Sequence, residues 1–143
     1  MKISVCMASY NGSKFIKNQI TSILSQLAKS DQLVIVDDCS FDNTVNIIES
    51  IKDPRIKLFK NIKNIGVVGT FNRALKIAKG DIILLSDQDD DWLENKVSFI
   101  RNFFLSNKID LLVHDAKIKQ GGSIVTNSLF EQIGSSSGLF KNI

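Results

Sequence analysis

The stretch Asp81–Trp92, DIILLSDQDDDW, joins an apolar run to a dense cluster of carboxylates. Its first half is typical of a strand buried in a parallel sheet, because it is apolar without the alternation of a half-exposed strand. Its second half places four aspartates within five positions, in a chain whose formal net charge is +3: Asp87, Asp89, Asp90 and Asp91. So much acid at the end of one strand indicates a candidate cation site.

The composition of the 143-residue chain is that of one globular domain, with 43% hydrophobic and 23% charged residues. No run of lysine and arginine marks a nucleic-acid surface, so we do not expect DNA or RNA as a partner. Cys6 and Cys39 have neither metal-ligand spacing nor the density of a disulfide scaffold. Since no segment has the length of a signal-peptide core or a membrane span, we expect a cytoplasmic protein that works in solution or at the inner face of the membrane.

Hydrophobic periodicity and turn residues predict strands and helices in alternation. Five strands are predicted: ISVCMA (3–8), QLVIVDD (32–38), RIKLFKN (55–61), DIILLS (81–86) and IDLLVHDA (109–116). Helices are predicted after the first four strands: SKFIKNQITSILSQLAK (13–29), DNTVNIIESIK (42–52), GTFNRALKIAKG (69–80) and WLENKVSFIRNFFLSN (92–107). Ser40 or Asp42 is the expected N-cap of the second helix, Gly80 is the expected C-cap of the third, and KQGGSIVT (119–126) is a short strand or hairpin. The alternation predicts an α/β fold with a parallel, doubly wound sheet and right-handed crossovers.

Ligands of such sheets bind outside the carboxyl ends of the strands, so the segments that follow the strands form the candidate site. These segments are SYNG after the first strand, DDCSFD after the second and DQDDDW after the fourth. Two acidic clusters on one edge would repel each other at low dielectric unless a cation lay between them. Mg²⁺ or Mn²⁺ suits this place, since both prefer oxygen ligands and are held by one or two carboxylates together with substrate phosphate. We interpret the acid at positions 87–91 as a metal platform for a diphosphate.

Some of these polar residues have simpler explanations. Acidic residues at the start of a helix are favoured by capping and by the helix dipole, and for Asp91 alone we favour that explanation. Capping accounts for one or two acids per helix, whereas each of these two strand ends carries three or more. For Tyr10 and Asn11, ordinary turn formation and ligand binding explain the sequence about equally well.

Three motifs in order, VCMASYNG, LVIVDDCSFDNT and NIGVVGTFNRALKIAKGDIILLSDQDDDW, resemble the N-terminal half of the family 2 glycosyltransferases. The resemblance covers roughly positions 2–118 and is strongest to rhamnosyltransferase-like bacterial members that build surface polysaccharide. It implies the GT-A fold, a Rossmann-like three-layer sandwich with a mostly parallel central sheet. It also implies a nucleotide-diphosphate sugar as donor, Mn²⁺ or Mg²⁺ as cofactor, and a saccharide or lipid-linked acceptor.

The resemblance assigns roles at the first two strand ends. Ala8 and Tyr10 would flank the nucleobase, with the Tyr10 ring packing against it. Asp38 would accept a hydrogen bond from the base, for which we expect the pyrimidine of a UDP- or dTDP-sugar. Ser40 and Asp42 would mainly shape the turn.

The resemblance also assigns roles in the quoted stretch, whose DQD matches the Asp-x-Asp motif of the family. It implies that Asp89 binds the metal with help from Asp90, while Asp87 faces the ribose or the donor sugar. One departure from the family pattern is Phe71, where many relatives have an arginine. Arg73 is not expected to replace that arginine at the diphosphate.

In inverting members of the family, the general base is an acid well beyond the Asp-x-Asp region, in the acceptor-binding half. Neither Asp115 nor Glu131 stands in that context, so we expect the base to lie outside this chain and the chain to be incomplete as a catalyst. Residues 1–118 are interpreted as the nucleotide-sugar-binding half and 119–143 as the start of the acceptor side. Apolar residues of this tail are expected to pack against further sequence or, in a homodimer, against a second copy of the chain: Leu129, Phe130, Ile133, Leu139 and Phe140.

Two other classes of function remain open at this point. A non-catalytic nucleotide-binding or interaction module would have the same motifs without turnover, and a sugar-nucleotide hydrolysis assay separates it from an enzyme. A metal-dependent phosphatase or receiver-like domain also groups carboxylates at strand ends. It places key acids after the first strand, however, and that strand ends here in ASYNG.

Overall fold

The computed structural model describes residues 1–120 and 122–134, and its first four strands alternate with helices as predicted. The chain divides into two units, Met1–Asn107 and a second that begins at Lys108. The first unit contains eight elements: β1 Ile3–Ser9, α1 Ile16–Leu24, β2 Gln32–Asp37, α2 Thr44–Ser50, β3 Ile56–Lys60, α3 Gly66–Ile77, β4 Ile82–Ser86 and α4 Lys96–Ser106. In the parts of the chain that the structure describes, no helix is both long and apolar enough to cross a membrane.

The four strands of the first unit form a parallel sheet in the order β3-β2-β1-β4. The two central strands, β1 and β2, are buried almost throughout, which accounts for their apolar sequences without strict alternation. The chain adds β2 and β3 on one side of β1 and then crosses back to add β4 on the other side. The parallel α/β sheet predicted from the sequence is therefore confirmed, and its strand order reverses between β1 and β4.

The helices cover both faces of this sheet. On one face α3 packs against β1 and β2, where Ala74 lies in a core cluster with Cys6 and Val34. The helices α1 and α2 contact each other. Because the crossovers through α1 and α2 run in the opposite direction to the crossover through α3, right-handed connections put those two helices on the other face.

The predicted caps of α2 and α3 were wrong. The residue directly before α2 is Asn43, not Ser40 or Asp42. Asp42 nevertheless contacts the start of the helix, since its carboxylate accepts a hydrogen bond from Thr44 N at 2.9 Å. The helix α3 begins and ends three residues earlier than predicted, so Gly80 lies beyond it and Ala78 is its C-cap. Position 80 requires a glycine because two backbone segments approach closely there, and not because the residue caps the helix.

Gly80 lies against the backbone of β1. Its N–H donates to Ser4 Oγ at 2.7 Å, and a Cβ at this position would come within 2.5 Å of Ser4 N and 2.8 Å of Ile3 C. These are backbone atoms of a central strand, so they have little freedom to move aside.

We expect Gly80→Ala to lower the free energy of unfolding by about 1–3 kcal/mol, the usual cost of overpacking. Urea denaturation measures this change in the free energy of unfolding. Gly69→Ala is the matched control, since the added Cβ there meets only the Ile65 side chain at 3.1 Å. Equal stability of Gly80→Ala and wild type would contradict this account of the glycine.

The fifth strand predicted at 109–116 was wrong, because the structure describes all of these residues and none is in a strand. Leu111 and Val113 are largely exposed there. An apolar run becomes a strand only where a neighbouring strand supplies hydrogen bonds, and this segment pairs with no strand among the described residues.

The second unit contains a hairpin, as the sequence allowed for KQGGSIVT. The strands β5 Ile118–Gln120 and β6 Ser123–Thr126 are antiparallel, and the short helix α5 Leu129–Gln132 follows. Ser128 caps α5 by accepting a hydrogen bond from Glu131 N at 3.1 Å. Of the apolar tail residues, Leu139 and Phe140 lie outside the described residues.

Candidate functional site

A cleft of about 220 Å³ opens at the carboxyl edge of the sheet. The strand register brings the ends of β1 and β4 together there, since Met7 pairs with Ser86. Residues from both strand ends line the cleft, which therefore lies at the point where the strand order reverses. This is the position at which open α/β sheets bind their ligands.

Five of the six residues predicted for the site line this cleft: Ala8, Tyr10, Asp38, Asp87 and Asp89. The sixth, Asp90, lies in the same loop, where its Oδ2 accepts a hydrogen bond from Asp87 N at 3.4 Å. The residues named from three separate segments of the sequence thus come together in space.

Asp38 is only 3% exposed and holds the segment between β3 and α3. Its Oδ1 accepts hydrogen bonds from Asn61 Nδ2 at 2.7 Å and Ile65 N at 2.9 Å, and its Oδ2 accepts from Gly66 N at 2.9 Å. Burial raises the pKa of this carboxyl, but the hydrogen bonds from Ile65, Asn61 and Gly66 outweigh burial and bring the pKa below its ordinary value. Because Ile65 has no capping side chain of its own, the Asp38 carboxylate serves as the cap of α3.

Arg73 supports the same segment from within α3. Its Nη1 donates to Lys60 O at 2.8 Å and to Asn61 Oδ1 at 2.5 Å, and Asn61 in turn donates to Asp38. Nη1 of the guanidinium is thus held by contacts inside the protein, where it stabilises the loop that carries Asp38's partners.

Ser40 and Asp42 tie the turn after β2 to the turn after β1. Ser40 Oγ donates to Asp37 Oδ1 at 2.6 Å and accepts from Asn11 N at 2.9 Å. Asp42 Oδ2 accepts from Ser13 N at 3.1 Å. These contacts are internal to the turns, so Ser40 and Asp42 shape the loops that carry the site.

The Tyr10 ring stands at the rim of the cleft and is 43% exposed. It meets the ring of Phe41 edge to face, with centroids 6.2 Å apart and planes at 81°. An exposed aromatic face of this kind is able to pack against a flat ligand ring, as the predicted role of Tyr10 requires.

The acidic loop concentrates like charges around Asp87. Partial burial raises the pKa of Asp87, and the carboxylates of Asp90 and Asp89 raise it further. A divalent cation at this place would relieve the repulsion. Within residues 1–120 and 122–134, no three acidic, histidine or cysteine side chains form a group that could hold a metal ion by themselves. The oxygen donors of this loop suit Mg²⁺ or Mn²⁺ in a shell completed by further oxygens, such as those of a diphosphate.

Gln88 was missed by the sequence analysis, although it lies between two predicted site residues. Its Nε2 donates to Tyr10 O at 2.9 Å, and its Oε1 accepts from Tyr10 N at 3.0 Å. The acidic loop is thereby tied to the end of β1. No local pattern in the sequence predicts a contact between residues 78 positions apart.

Gln19 holds the same loop from beneath and was also missed. It is fully buried on α1, and its amide contacts Ser86 Oγ at 2.7 Å. With its oxygen oriented toward the nearby donors, the amide also accepts a hydrogen bond from Trp92 Nε1 at 3.2 Å. Here the sequence carried a signal, because Gln19 is a polar residue on the same helical face as Ile16 and Ile20.

A parallel α/β sheet, a cleft where its strand order reverses and an Asp-x-Asp loop on the wall of that cleft are the arrangement of a domain of the GT-A class. The profile of glycosyl transferase family 2 matches residues 4–130. The chain belongs to this family.

Two relatives from Escherichia coli show how far the similarity extends. The UDP-Glc:alpha-D-GlcNAc-diphosphoundecaprenol beta-1,3-glucosyltransferase WfgD is 35% identical over 140 residues, which cover 98% of this chain and 55% of that protein. The enzyme of the same description named WfaP is 41% identical over 107 residues, which cover 75% of this chain and 43% of that protein. The chain thus spans about half the length of these curated relatives.

Among solved structures, the crystal structure of S. aureus TarS 1–349 in complex with UDP-GlcNAc matches with a TM-score of 0.70 at 32% identity. The match covers 74% of this chain and 32% of that one. The GT-A fold implied by the sequence motifs is therefore confirmed.

Proposed function

We propose that the cleft binds the nucleotide of a nucleotide-diphosphate sugar together with a divalent metal ion, and that the whole protein transfers the sugar to a saccharide or lipid-linked acceptor. The observation that carries this proposal is the meeting of Tyr10, Asp38 and the 87–89 loop in one cleft where the strand order reverses. Residues 1–118 would form the nucleotide-sugar-binding half and 119–143 the start of the acceptor side.

The relatives support this choice of donor and acceptor. The name of WfgD describes a UDP-glucose donor and an acceptor carried on diphosphoundecaprenol, a lipid. TarS binds UDP-GlcNAc in its solved complex. With a lipid-linked acceptor, the domain would work on the cytoplasmic side of the membrane, close to its surface.

In the proposed complex, Ala8 and Tyr10 flank the base and Asp38 accepts a hydrogen bond from it. The Asp38 carboxylate accepts hydrogen bonds within the protein from Asn61, Ile65, Gly66 and the Thr70 side chain, so the base would share this carboxylate with internal donors. Asp87 would face the ribose or the donor sugar.

The metal would be held by Asp89 with help from Asp90, and oxygens of the diphosphate would complete its shell. Partial burial and, after it, the charges of Asp90 and Asp89 raise the pKa of Asp87, and the like charges gathered in this loop support a cation at this place. When bound, the metal supplies neutralisation of the negative charge that develops on the leaving diphosphate. The loop contributes by holding its carboxylates beside the cleft before the ligand arrives.

We expect Mn²⁺ to raise the affinity of the chain for UDP. Asp89→Asn should remove most of this gain, a loss in affinity of at least about tenfold, because the metal loses one charged ligand. Calorimetric titration of UDP with and without Mn²⁺ measures both effects. Asp81→Asn is the matched control, since Asp81 lies at the amino end of the same strand. Equal UDP affinity with and without metal in the wild type would overturn the metal proposal.

We also expect UDP and dTDP to stabilise the chain against heat more than ADP and GDP do. The N3–H of a uracil or thymine ring is a donor for the Asp38 carboxylate, which lines the cleft. A tenfold preference corresponds to about 1.4 kcal/mol of additional stabilisation at saturating nucleotide. Thermal shifts with the four nucleotides in the presence of Mn²⁺ make the comparison, and equal shifts would reject the proposed base contact.

A further inference from the structure

Gln88 pairs both polar atoms of its side-chain amide with the backbone of one residue. The donor Nε2 lies 2.9 Å from Tyr10 O, and the acceptor Oε1 lies 3.0 Å from Tyr10 N. This is the pattern by which one strand pairs with another, made here by a side chain across the reversal between β1 and β4. Since Asp87 and Asp89 are the chain neighbours of Gln88, a fixed Gln88 also fixes the backbone that carries both carboxylates.

Gly12 leaves the space that this amide occupies. A Cβ at position 12 would lie 2.0 Å from Gln88 Oε1 and 2.4 Å from its Cδ. The Gly12 backbone is buried, and its N–H donates to Thr44 Oγ1 at 2.8 Å, so it does not move aside easily. A side chain at position 12 would therefore displace the Gln88 amide and leave the surrounding backbone in place.

We propose that Gln88 is a positioning residue that locks the acidic loop onto Tyr10 through the gap left by Gly12. The functional part of this inference rests on the proposed nucleotide and metal site. In that site the lock holds the metal-binding carboxylate at a set distance from the base-binding end of β1. A nucleoside diphosphate must reach both, so the lock prepares the cleft for base and metal-bound diphosphate at the same time.

The lock contributes little to global stability. Fixing a long, half-buried glutamine side chain costs about as much conformational entropy as two neutral hydrogen bonds return. The lock is therefore expected to change the mobility of the loop and the affinity for ligand, whereas a purely structural residue would mainly change the midpoint of unfolding.

The test compares wild type with Gln88→Leu, Gly12→Ala and the double variant. Gln88→Leu removes both hydrogen bonds, and Gly12→Ala expels the amide without altering it. Gln120→Leu, at an exposed glutamine of the β5–β6 hairpin, is the matched control. Hydrogen exchange at the Tyr10 amide and at residues 87–91 reports on the lock itself, and calorimetry of UDP with and without Mn²⁺ reports on its consequence.

We expect faster exchange at Tyr10 and residues 87–91 in all three lock variants and not in the control. We expect their UDP affinity without metal to stay within about twofold, while the gain from Mn²⁺ falls by about tenfold, because the loop must then be ordered when the metal and diphosphate bind. The double variant should be no worse than either single one, since both changes break the same contact.

Unchanged exchange in Gln88→Leu and Gly12→Ala would overturn the lock, whatever the nucleotide results. Faster exchange with an undiminished gain from Mn²⁺, or additive losses in the double variant, would overturn its positioning role. If wild type showed no gain from Mn²⁺, the proposed metal site would fail and the positioning role with it, whereas the exchange measurement would still decide whether the lock exists.

Discussion

Asp38→Ala is expected to lower the free energy of unfolding by about 3 kcal/mol, because it removes the acceptor of several buried or partly buried donors at once. The donors affected are Asn61 Nδ2 and the N–H groups of Ile65 and Gly66. Asn61 keeps a longer bond to Thr70 Oγ1 at 3.3 Å and Gly66 keeps one to Asn64 Oδ1 at 3.1 Å, whereas Ile65 N loses its acceptor. The last two begin α3, so the first turn of that helix loses its cap. Urea unfolding at neutral pH measures the loss. UDP binding by the folded fraction is expected to weaken as well, by roughly 1–3 kcal/mol.

Asp38→Asn separates the charge from the shape of this side chain. The asparagine keeps one acceptor oxygen, but its N–H₂ group faces a donor that the carboxylate used to accept from. About half of the stability loss of Asp38→Ala is therefore expected. Since the folded pKa of Asp38 lies below its unfolded value of about 3.9, the stabilisation is present above that pH and is lost as the pH falls through the folded pKa. The difference between wild type and Asp38→Asn should therefore shrink on acidification. A difference independent of pH would contradict the role given to the charge, and Asp81→Ala, at an exposed aspartate, serves as control.

The largest loss of stability, about 3–5 kcal/mol, is expected for Asp31→Ala. The Asp31 side chain is fully buried, and its oxygens accept hydrogen bonds from Ile3 N at 2.9 Å, Ala28 N at 2.8 Å and Arg101 Nη2 at 2.6 Å. It thereby ties α4 to the start of the central strand β1. The alanine variant leaves the Arg101 guanidinium without its carboxylate, and it leaves the N–H of Ile3 buried without an acceptor.

The Lys60–Glu49 pair provides the comparison for Asp31. Both of its side chains are about half exposed, so Glu49→Ala should cost at most about 1 kcal/mol. Burial raises the pKa of Asp31, but hydrogen bonds from Ile3 and Ala28 and the charge of Arg101 bring it below its ordinary value. Its contribution should therefore also fade as the pH drops below about 3.9. If Asp31→Ala lowered the free energy of unfolding no more than Glu49→Ala does, the buried ion pair would contribute no more than an exposed one.

Much of the fold was predictable because its signals are local. Apolar runs between turn residues located β1 to β4, and the rule that parallel α/β sheets bind ligands at their carboxyl edge located the cleft. The same reasoning failed for 109–116, since hydropathy reports that a segment is apolar and not whether another strand lies beside it. It also placed the start of α3 three residues late, because the cap of that helix comes from Asp38, far away in the chain.

The order of the first four strands and helices and the three polar segments at the carboxyl edge were readable in the sequence, since both follow from periodicity and chain direction. The folded structure was needed to show that the Asp38 carboxylate caps α3, that Arg73 contacts Lys60 and Asn61, and that Gln88 ties the acidic loop to Tyr10. These are hydrogen bonds between residues from 12 to 78 positions apart, which no local pattern predicts. Their distances and angles exist only after the sheet has brought the strand ends together.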